Sequence, residues 1–357
     1  MTKCLAVLAA FLFLAVRPPV AAAASDTRVS GDLDGDGAVS AADAAIVLRA
    51  ALGTGSLDTA GSVLADATGD MAVGRSDATA ILLHAVGRIG SFDELTLGGA
   101  DTLLGDRYLE KFSYQGTVRR GYDYRSHDVS IAVTRFSYAE AVCYLADIYI
   151  RHIESFRTAF GGGGYNAGRE TVAALASETG ALLAVNGDQY LNVAGGPLVR
   201  NGVWHRESVA YNTDVCVLYR DGVIETFAAG EADAEALSAD GVYQSWVCGP
   251  RLLDAEGLPM EKFTCPADFK NCVARTAIGY YEPGHYCLVV VDGTQNPDSE
   301  GLKLEALSEL FHSLGCRAAY NLYGGVNALM YAGAEAVSTP HAAERSVSDI
   351  LYIAEPF

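Results

Sequence analysis

The chain has 357 residues, half of them apolar, and its 44 acidic side chains against 25 basic ones give a formal net charge of −19. Such an acid excess repels polyanions and argues against a nucleic-acid partner. The length is sufficient for two domains, one of them with a large core. The first residues read as a secretory signal peptide: Lys3, an apolar run from Cys4 to Val16, then AAAAS, with cleavage after Ala24, which sets residues 1–24 apart. The 13 residues of that run are too few to span a bilayer. Cys4 precedes the run instead of ending it, unlike a lipoprotein cysteine. No second apolar segment of membrane length follows, so the expectation is a secreted, extracellular protein with no transmembrane segment. Loss of Lys3 and Arg17 would take the charge from −19 to −21.

Next in chain order is a calcium loop, DLDGDGAVSAAD, from Asp32 to Asp43. Carboxylates stand at loop positions 1, 3, 5 and 12 (Asp32, Asp34, Asp36, Asp43), Ser40 at position 9, and Gly37 at the sharp turn. The carbonyl of Ala38 completes the oxygen-rich shell that hard Ca²⁺ requires. A helix, AADAAIVLRAAL, follows directly. The pattern returns 34 residues later as DATGDMAVGRSD, Asp66 to Asp77, before ATAILLHAVGRI. Its ligand set would be Asp66, Thr68, Asp70, the Ala72 carbonyl and Asp77. Thr68 replaces a carboxylate and Met71 replaces the turn glycine, so this second site should be the weaker. The unequal pair of half-hands resembles a type I dockerin and predicts a small all-α module over residues 30–90. That resemblance implies calcium as cofactor and, as partner, a cohesin domain of an extracellular scaffoldin. Dockerins usually read their partner at loop positions 10 and 11, here Ala41-Ala42 and Arg75-Ser76; the two pairs differ, so two binding orientations would be unequal.

Residues 91–111 read as a linker. Beyond them the pattern changes to alternating apolar and polar runs, and residues 112–357 are expected to form a mixed α/β (α+β) domain with a mixed sheet. VSIAVTRF, ALLAVNG, DVCVLY, ARTAIGYY and YCLVVVDG read as strands. RETVAALASETG and LKLEALSELFHSLG read as helices, each stopped by a glycine, Gly180 and Gly315. Gly161 to Gly164 mark a loop tip. Seven cysteines remain after residue 24, most inside apolar runs where a buried free thiol is the plain reading. Cys265 and Cys272, flanking PADFKN, are the one pair expected to bridge. No CxxC pair or Cys/His cluster points to zinc.

Four strand ends concentrate polar groups: Asn186-Gly187-Asp188, Arg275-Thr276, Asp292-Gly293 with Ser299-Glu300-Gly301, and Asn321-Leu322-Tyr323-Gly324-Gly325. Each alone is ordinarily an Asx-Gly turn. Together, and with Arg200-Asn201-Gly202, Gly249-Pro250, SEGLKLEAL and ERSVSDILYI, they resemble the phosphodiester glycosidase family from about Asp128 to the C-terminus. That family includes the enzyme that uncovers mannose 6-phosphate by removing a capping N-acetylglucosamine. The resemblance implies hydrolysis of a sugar 1-phosphodiester in a glycan or cell-surface polymer. Such chemistry wants a carboxylate against oxocarbenium character and an acid for the leaving group. Asp188 and Glu300 are the candidates, with nucleophile and acid unassigned. A phosphate favours a bidentate cation, Arg275 first and Arg345 second. The alternative for Arg345 is an ion pair with Glu344 or Asp349. Asn186, Asp292, Asn321 and Gly324-Gly325 would orient the substrate.

One departure from the family matters most. Members usually read Asn-Leu-Asp-Gly-Gly followed by hydroxyl side chains, whereas this chain reads Asn-Leu-Tyr-Gly-Gly-Val-Asn-Ala. Tyr323 therefore stands for a carboxylate, Asn327 and Ala328 stand for hydroxyls, and Ala274 replaces a proline before Arg-Thr. A phenol with a pKa of about 10 is no anionic base at neutral pH. Two functions stay open: a docked phosphodiester glycosidase, or a catalytically degenerate glycan-binding or structural module in which Tyr323 stacks on a sugar.

Overall fold

The computed structural model describes residues 29–67, 73–92, 104, 107–193, 195–239, 241–341 and 344–356. The signal-peptide segment, most of the expected linker, and Thr68, Asp70 and Ala72 of the second loop lie outside the described residues. Among the described residues no helix is long and apolar enough to cross a membrane.

The N-terminal module contains helices α1 (Ala41–Ala51), α2 (Thr59–Ala65) and α3 (Arg75–Ala85). A capping box starts α1: Ser40 accepts from the Ala42 amide at 3.1 Å, and Asp43 accepts from the Ser40 amide at 2.8 Å. The core is small: Ala44, Val47, Ala65, Ala67, Ala78, Ala80 and Ile81.

The large domain is layered. A seven-stranded sheet has the order β1 (Val118–Arg120), β2 (Asp123–Arg125), β3 (Val129–Tyr138), β4 (Ala141–Ile150), β13 (His285–Val291), β12 (Arg275–Glu282), β14 (Ala318–Asn321). A five-stranded sheet has the order β16 (Glu335–Ala336), β15 (Met330–Ala332), β6 (Leu183–Asn186), β17 (Asp349–Ile353), β5 (Phe156–Phe160). Smaller sheets join β10 (Ile224–Phe227), β9 (Val215–Tyr219) and β11 (Val242–Trp246), and pair β7 (Leu198–Arg200) with β8 (Val203–Arg206). Helix α4 (Val172–Thr179) covers the five-stranded sheet, α5 (Ala234–Ala239) precedes β11, and α6 (Leu304–Ser313) covers the seven-stranded sheet.

Period-2 alternation explains the layering. On β13, Tyr286, Leu288 and Val290 face the core between the sheets, while Cys287, Val289 and Val291 face Leu304, Leu307, Leu310 and Phe311 of α6. On β17, Leu351 and Ile353 share that central core, and Ile350 and Tyr352 pack on α4 with Val172 and Leu175. A strand buried on both faces is apolar throughout, which is why YCLVVV and the ILYI of β17 are unbroken. Gly180 (φ 63°) and Gly315 (φ 81°) lie just past α4 and α6 in left-handed conformation, as the sequence predicts.

The expected mixed sheet is corrected: every strand pairing among the described residues is antiparallel. Two strand–helix–strand units, β5–α4–β6 and β13–α6–β14, would give parallel neighbours. In each, another strand, β17 or β12, is inserted between the two and runs against both. The expected Cys265–Cys272 bridge is also absent, and all seven described cysteines are free thiols. A 3-10 turn, Ala267–Lys270, occupies the segment between that pair.

Candidate functional site

The end of β6 drops Asn186, Gly187 and Asp188 into a buried polar network. Asn186 Oδ1 accepts from Thr276 Oγ1 at 2.6 Å and from the Leu329 amide at 3.3 Å, while its Nδ2 donates to the carbonyls of Tyr323 and Gly187. Asp188 accepts from Arg200 Nη2 at 2.9 Å and from the Val247 amide at 2.7 Å. The same guanidinium donates to Asp349 Oδ2 through Nε at 3.0 Å and Nη2 at 2.7 Å, and through Nη1 to the carbonyls of Val199 and Ser245. Asp188 and Asp349 are 0% exposed and Arg200 2%. Burial opposes the Arg200 charge, but the two carboxylates hold its pKa above the ordinary value. Burial pushes Asp349 up to about 6; Arg200 opposes that shift and the like charge of Asp188 adds to it.

Arg275, 1% exposed at the start of β12, donates Nε to the Leu302 carbonyl at 2.9 Å and Nη2 to the carbonyls of Phe269 and Asn271 at 2.7 and 2.6 Å. Burial lowers its pKa to about 10. Its work in this conformation is to tie the 269–271 turn and residue 302 to the sheet. Glu300 is exposed beside the β3–β4 turn, its amide donating to the Glu140 carbonyl at 3.1 Å. Ala139 and Glu140 make that two-residue turn with positive φ, 45° and 62°. Asp292 is a buried brace, accepting from the Thr339 amide at 3.1 Å, Asn296 Nδ2 at 2.8 Å and the Tyr144 hydroxyl at 3.3 Å. Asp188, Arg275 and Glu300 share no hydrogen bond; each serves a different junction. Arg345 is exposed, and both acids weighed as its ion-pair partners are engaged elsewhere. Glu344 takes the Ala173 amide and the Tyr331 hydroxyl, and Asp349 takes Arg200.

Asn321 is fully buried, its Nδ2 donating to the Leu322 carbonyl and its Oδ1 left without a partner among the described residues. Gly249 packs so closely on the Asn321 carbonyl that an added Cβ would overlap it. Because backbone stands on both sides, Gly249→Ala should cost about 2–3 kcal/mol, the upper part of the range for overpacking; a urea midpoint equal to the native one would contradict this. Gly324 is similarly confined, an added Cβ lying 2.5 Å from the Ala274 carbonyl, which also accepts from the Gly325 amide at 2.8 Å.

These braces surround a cleft of about 670 Å³. Aromatic rings of Tyr211, Phe269 and Tyr323 form part of its wall, with Asn192, Ser208, Asn212 and Thr213 as its polar side chains and Cys248 among the rest. Tyr211 is 75% exposed, and Tyr323 stands edge-on to Phe269 at 6.1 Å between centroids. None of the lining side chains is charged among the described residues. Burial, then the charges of Asp188 and Asp349, raise the Cys248 thiol well above its usual range, so it is no thiolate nucleophile. Of the residues singled out by sequence, Tyr323 reaches the cleft and Asn186 holds its backbone. Asp188 lies behind the wall, one residue from Cys248 through the Val247 amide. Arg200, Asp349 and the cleft's Asn192, Tyr211, Asn212 and Phe269 were not anticipated as site residues. A lone arginine ending the apolar run PLVR was the available signal for the first.

In the first acidic loop, carboxylate oxygens of Asp32, Asp34 and Asp36 lie within 4.8 Å of one another. Gly35 and Gly37 donate to Asp32 at 2.8 and 3.1 Å, and Gly37 takes φ 87°, the turn that only glycine makes without strain. Asp43 accepts from the Leu33 and Asp34 amides and from Ser40, closing the loop onto α1. An oxygen-only donor set converging on one point fits a hard divalent cation. In the second loop, Asp66 and Asp77 are described, and Asp77 accepts from the Gly74 amide at 2.7 Å in the matching cap of α3.

Comparison with known proteins agrees with both parts. Residues 179–354 match the phosphodiester glycosidase family, and residues 30–82 match the dockerin type I domain. The SPbeta prophage-derived uncharacterized protein YomE of Bacillus subtilis (strain 168) is 27% identical over 194 residues, 53% of this chain and 30% of that protein's length. The chain thus spans under a third of that relative. The zebrafish N-acetylglucosamine-1-phosphodiester alpha-N-acetylglucosaminidase catalytic domain, auto-inhibited by its pro-peptide, has a TM-score of 0.51 and 20% identity, covering 64% of this chain and 83% of that one. A hypothetical protein from Synechocystis has a TM-score of 0.50 and 12% identity, covering 64% of this chain and 62% of that one. At these identities the two structures establish a shared fold. Residues 179–354 therefore form a phosphodiester glycosidase family domain, and the chain joins it to a type I dockerin domain at residues 30–82.

Proposed function

We propose that this is a secreted, scaffold-docked glycan-binding protein built on a glycosidase domain. The module at residues 30–90 anchors it, with calcium, to a cohesin domain, and the domain at residues 112–357 holds a sugar in the Tyr211–Phe269–Tyr323 cleft. The observation that carries this reading is the cleft wall. Tyr323, which the family resemblance sets against a carboxylate, is part of that wall, and every described lining side chain is neutral. Aromatic faces suit pyranose rings, and amides and hydroxyls suit their hydroxyls. The candidate acid Asp188 is enclosed by Arg200 and the Val247 amide.

A second reading, an active sugar 1-phosphodiester hydrolase, is favoured by the Asp188–Arg200–Asp349 network directly behind that wall. There Asp188 and Glu300 would supply the carboxylates, and Arg275 would have to exchange its carbonyl partners for phosphate. Release of sugar from N-acetylglucosamine 1-phosphodiesters separates the two readings. The native protein should be inert, and Tyr323→Asp should raise turnover by about a hundredfold or more, the lower range for restoring an acid–base group. A highly active native protein, silenced by changing Asp188, Arg275 and Glu300, would replace the binding reading with the hydrolytic one.

A further inference from the structure

We infer that Cys287 and Cys316 form an oxidisable pair: a small disulfide reagent enters the cavity beside Cys316 and leaves behind a bridge between β13 and the end of α6. This site is separate from the aromatic cleft and independent of what the cleft binds. Cys287 lies on β13 and Cys316 just past α6, 29 positions apart, with their sulfurs 3.8 Å from one another. Both are free thiols in this structure. The residue facing them is Gly279 of β12, where an added Cβ would lie 2.6 Å from Cys287 Sγ and 2.7 Å from Cys316 Sγ. Its missing side chain leaves the space in which the two sulfurs meet. An S–S bond is about 2.0 Å long, so each sulfur has to move by only about 0.9 Å, within reach of a small χ1 adjustment.

Access to the pair is one-sided. Cys287 is 0% exposed, whereas Cys316, 5% exposed, lines a cavity of about 430 Å³ together with Glu256, Gly257, His312 and Arg317. Burial, then the neighbouring Cys316, pushes the Cys287 thiol well above its usual range, so it stays protonated at neutral pH and does not begin the exchange. Tyr281, raised first by burial and then by the two sulfurs, stays a neutral phenol beside them. The reaction therefore starts at Cys316. Its proton leaves to water in the cavity, and its thiolate attacks one sulfur of the reagent; a mixed disulfide forms, the reagent's own S–S bond breaks, and one reagent thiolate departs. Cys287 then attacks the Cys316 sulfur, and its proton passes to the second departing thiolate. Two protein thiols are oxidised, and one reagent disulfide is reduced to two thiols. The closed ring holds the end of β13, the 292–302 segment and α6, so the bridge restrains that whole strand–loop–helix unit in the unfolded chain.

The test uses the full chain, reduced, freed of reductant, incubated with oxidised glutathione, alkylated, and mapped by peptide mass spectrometry without further reduction. A parallel sample carries Cys272→Ser, which removes the exposed thiol. In both, most molecules should yield a peptide pair linked through Cys287 and Cys316, and the urea midpoint of the large domain should rise by about 1 M and return on reduction. Cys287→Ser should stop at the first step, with glutathione held on Cys316, whereas Cys316→Ser should leave Cys287 unmodified in the folded protein. The map of the native chain decides the pairing even where a serine variant fails to fold. Absence of the Cys287–Cys316 link from the oxidised native chain, or linkage of either residue to another cysteine, would overturn the pair. Glutathione on Cys287 of folded Cys316→Ser would overturn entry through the cavity.

Discussion

Replacing Arg200 with methionine should destabilise the large domain by about 3–5 kcal/mol, enough to leave a sizeable fraction unfolded, because it strands two buried carboxylates. Asp188 and Asp349 are both 0% exposed, and each receives its ionic partner from this one guanidinium. Methionine matches the aliphatic stem but supplies none of the donors. The chain's two tryptophans, Trp204 and Trp246, both lie in the large domain, and Trp246 is fully buried next to Ser245, whose carbonyl also takes Arg200. Their fluorescence therefore follows unfolding of this domain alone in urea. Adding Asp188→Asn and Asp349→Asn to the methionine variant should recover more than half of the loss, since neutral amides remove the stranded charges. A single-variant cost below about 1 kcal/mol would mean that water already reaches the network.

The same network sets a pH dependence whose sign is fixed by the raised pKa of Asp349. A carboxyl that holds its proton more tightly when folded contributes stability that is complete below its unfolded value near 4. That contribution is lost as pH rises through about 6. Between pH 4 and pH 7 this group should therefore progressively destabilise the native domain relative to Asp349→Asn. The stability difference between the two proteins, measured across that interval, should shrink or reverse as pH rises. A constant difference would mean that Asp349 is ionised throughout.

The parts legible in the sequence are those with local causes. Strand β13 is apolar on consecutive positions because both of its faces are covered, and α6 shows its buried stripe at Leu304, Leu307, Leu310 and Phe311. The first acidic loop is legible because Asp32, Asp34 and Asp36, whose carboxylates the fold brings within 4.8 Å of one another, lie within five consecutive residues. What was hidden depends on long-range placement. Insertion of β17 and β12 into the two strand–helix–strand units leaves no trace in spacing, so spacing alone does not separate an antiparallel sheet from a mixed one. Arg200 and Asp349 stand 149 positions apart, and no local pattern pairs them. Arg275 illustrates a different limit. Its position at the opening of an apolar strand signals a cation at a strand end, but a buried guanidinium must satisfy its donors somewhere, and three carbonyls of the adjoining chain reach it first. The cleft itself comes from loops near residues 192, 211, 248 and 269, which share no periodicity at all.

Removing calcium should unfold the dockerin module and abolish cohesin binding while the tryptophan signal of the large domain stays native. The argument rests on how little else holds the module together. Among the described residues its fully buried core contains five alanines, one valine and one isoleucine, with Leu33, Val39, Leu57, Val73 and Phe92 only half-buried against it, a small apolar area for a unit of this length. Against that, Asp32, Asp34 and Asp36 bring their carboxylates within 4.8 Å of one another, and without a cation their repulsion opposes the loop that starts α1. Binding a divalent ion reverses that term, so metal affinity becomes folding free energy. Chelation should lower helical circular dichroism and reduce cohesin affinity by at least about a hundredfold, and Asp32→Ala with Asp34→Ala should do the same at saturating calcium. Titration should show two steps, because Thr68 and Met71 replace a carboxylate and the turn glycine in the second loop. Cohesin binding that survives chelation would show that packing of α1 against α3 alone suffices, and the acidic loop would then be a solvated cap without a metal's help.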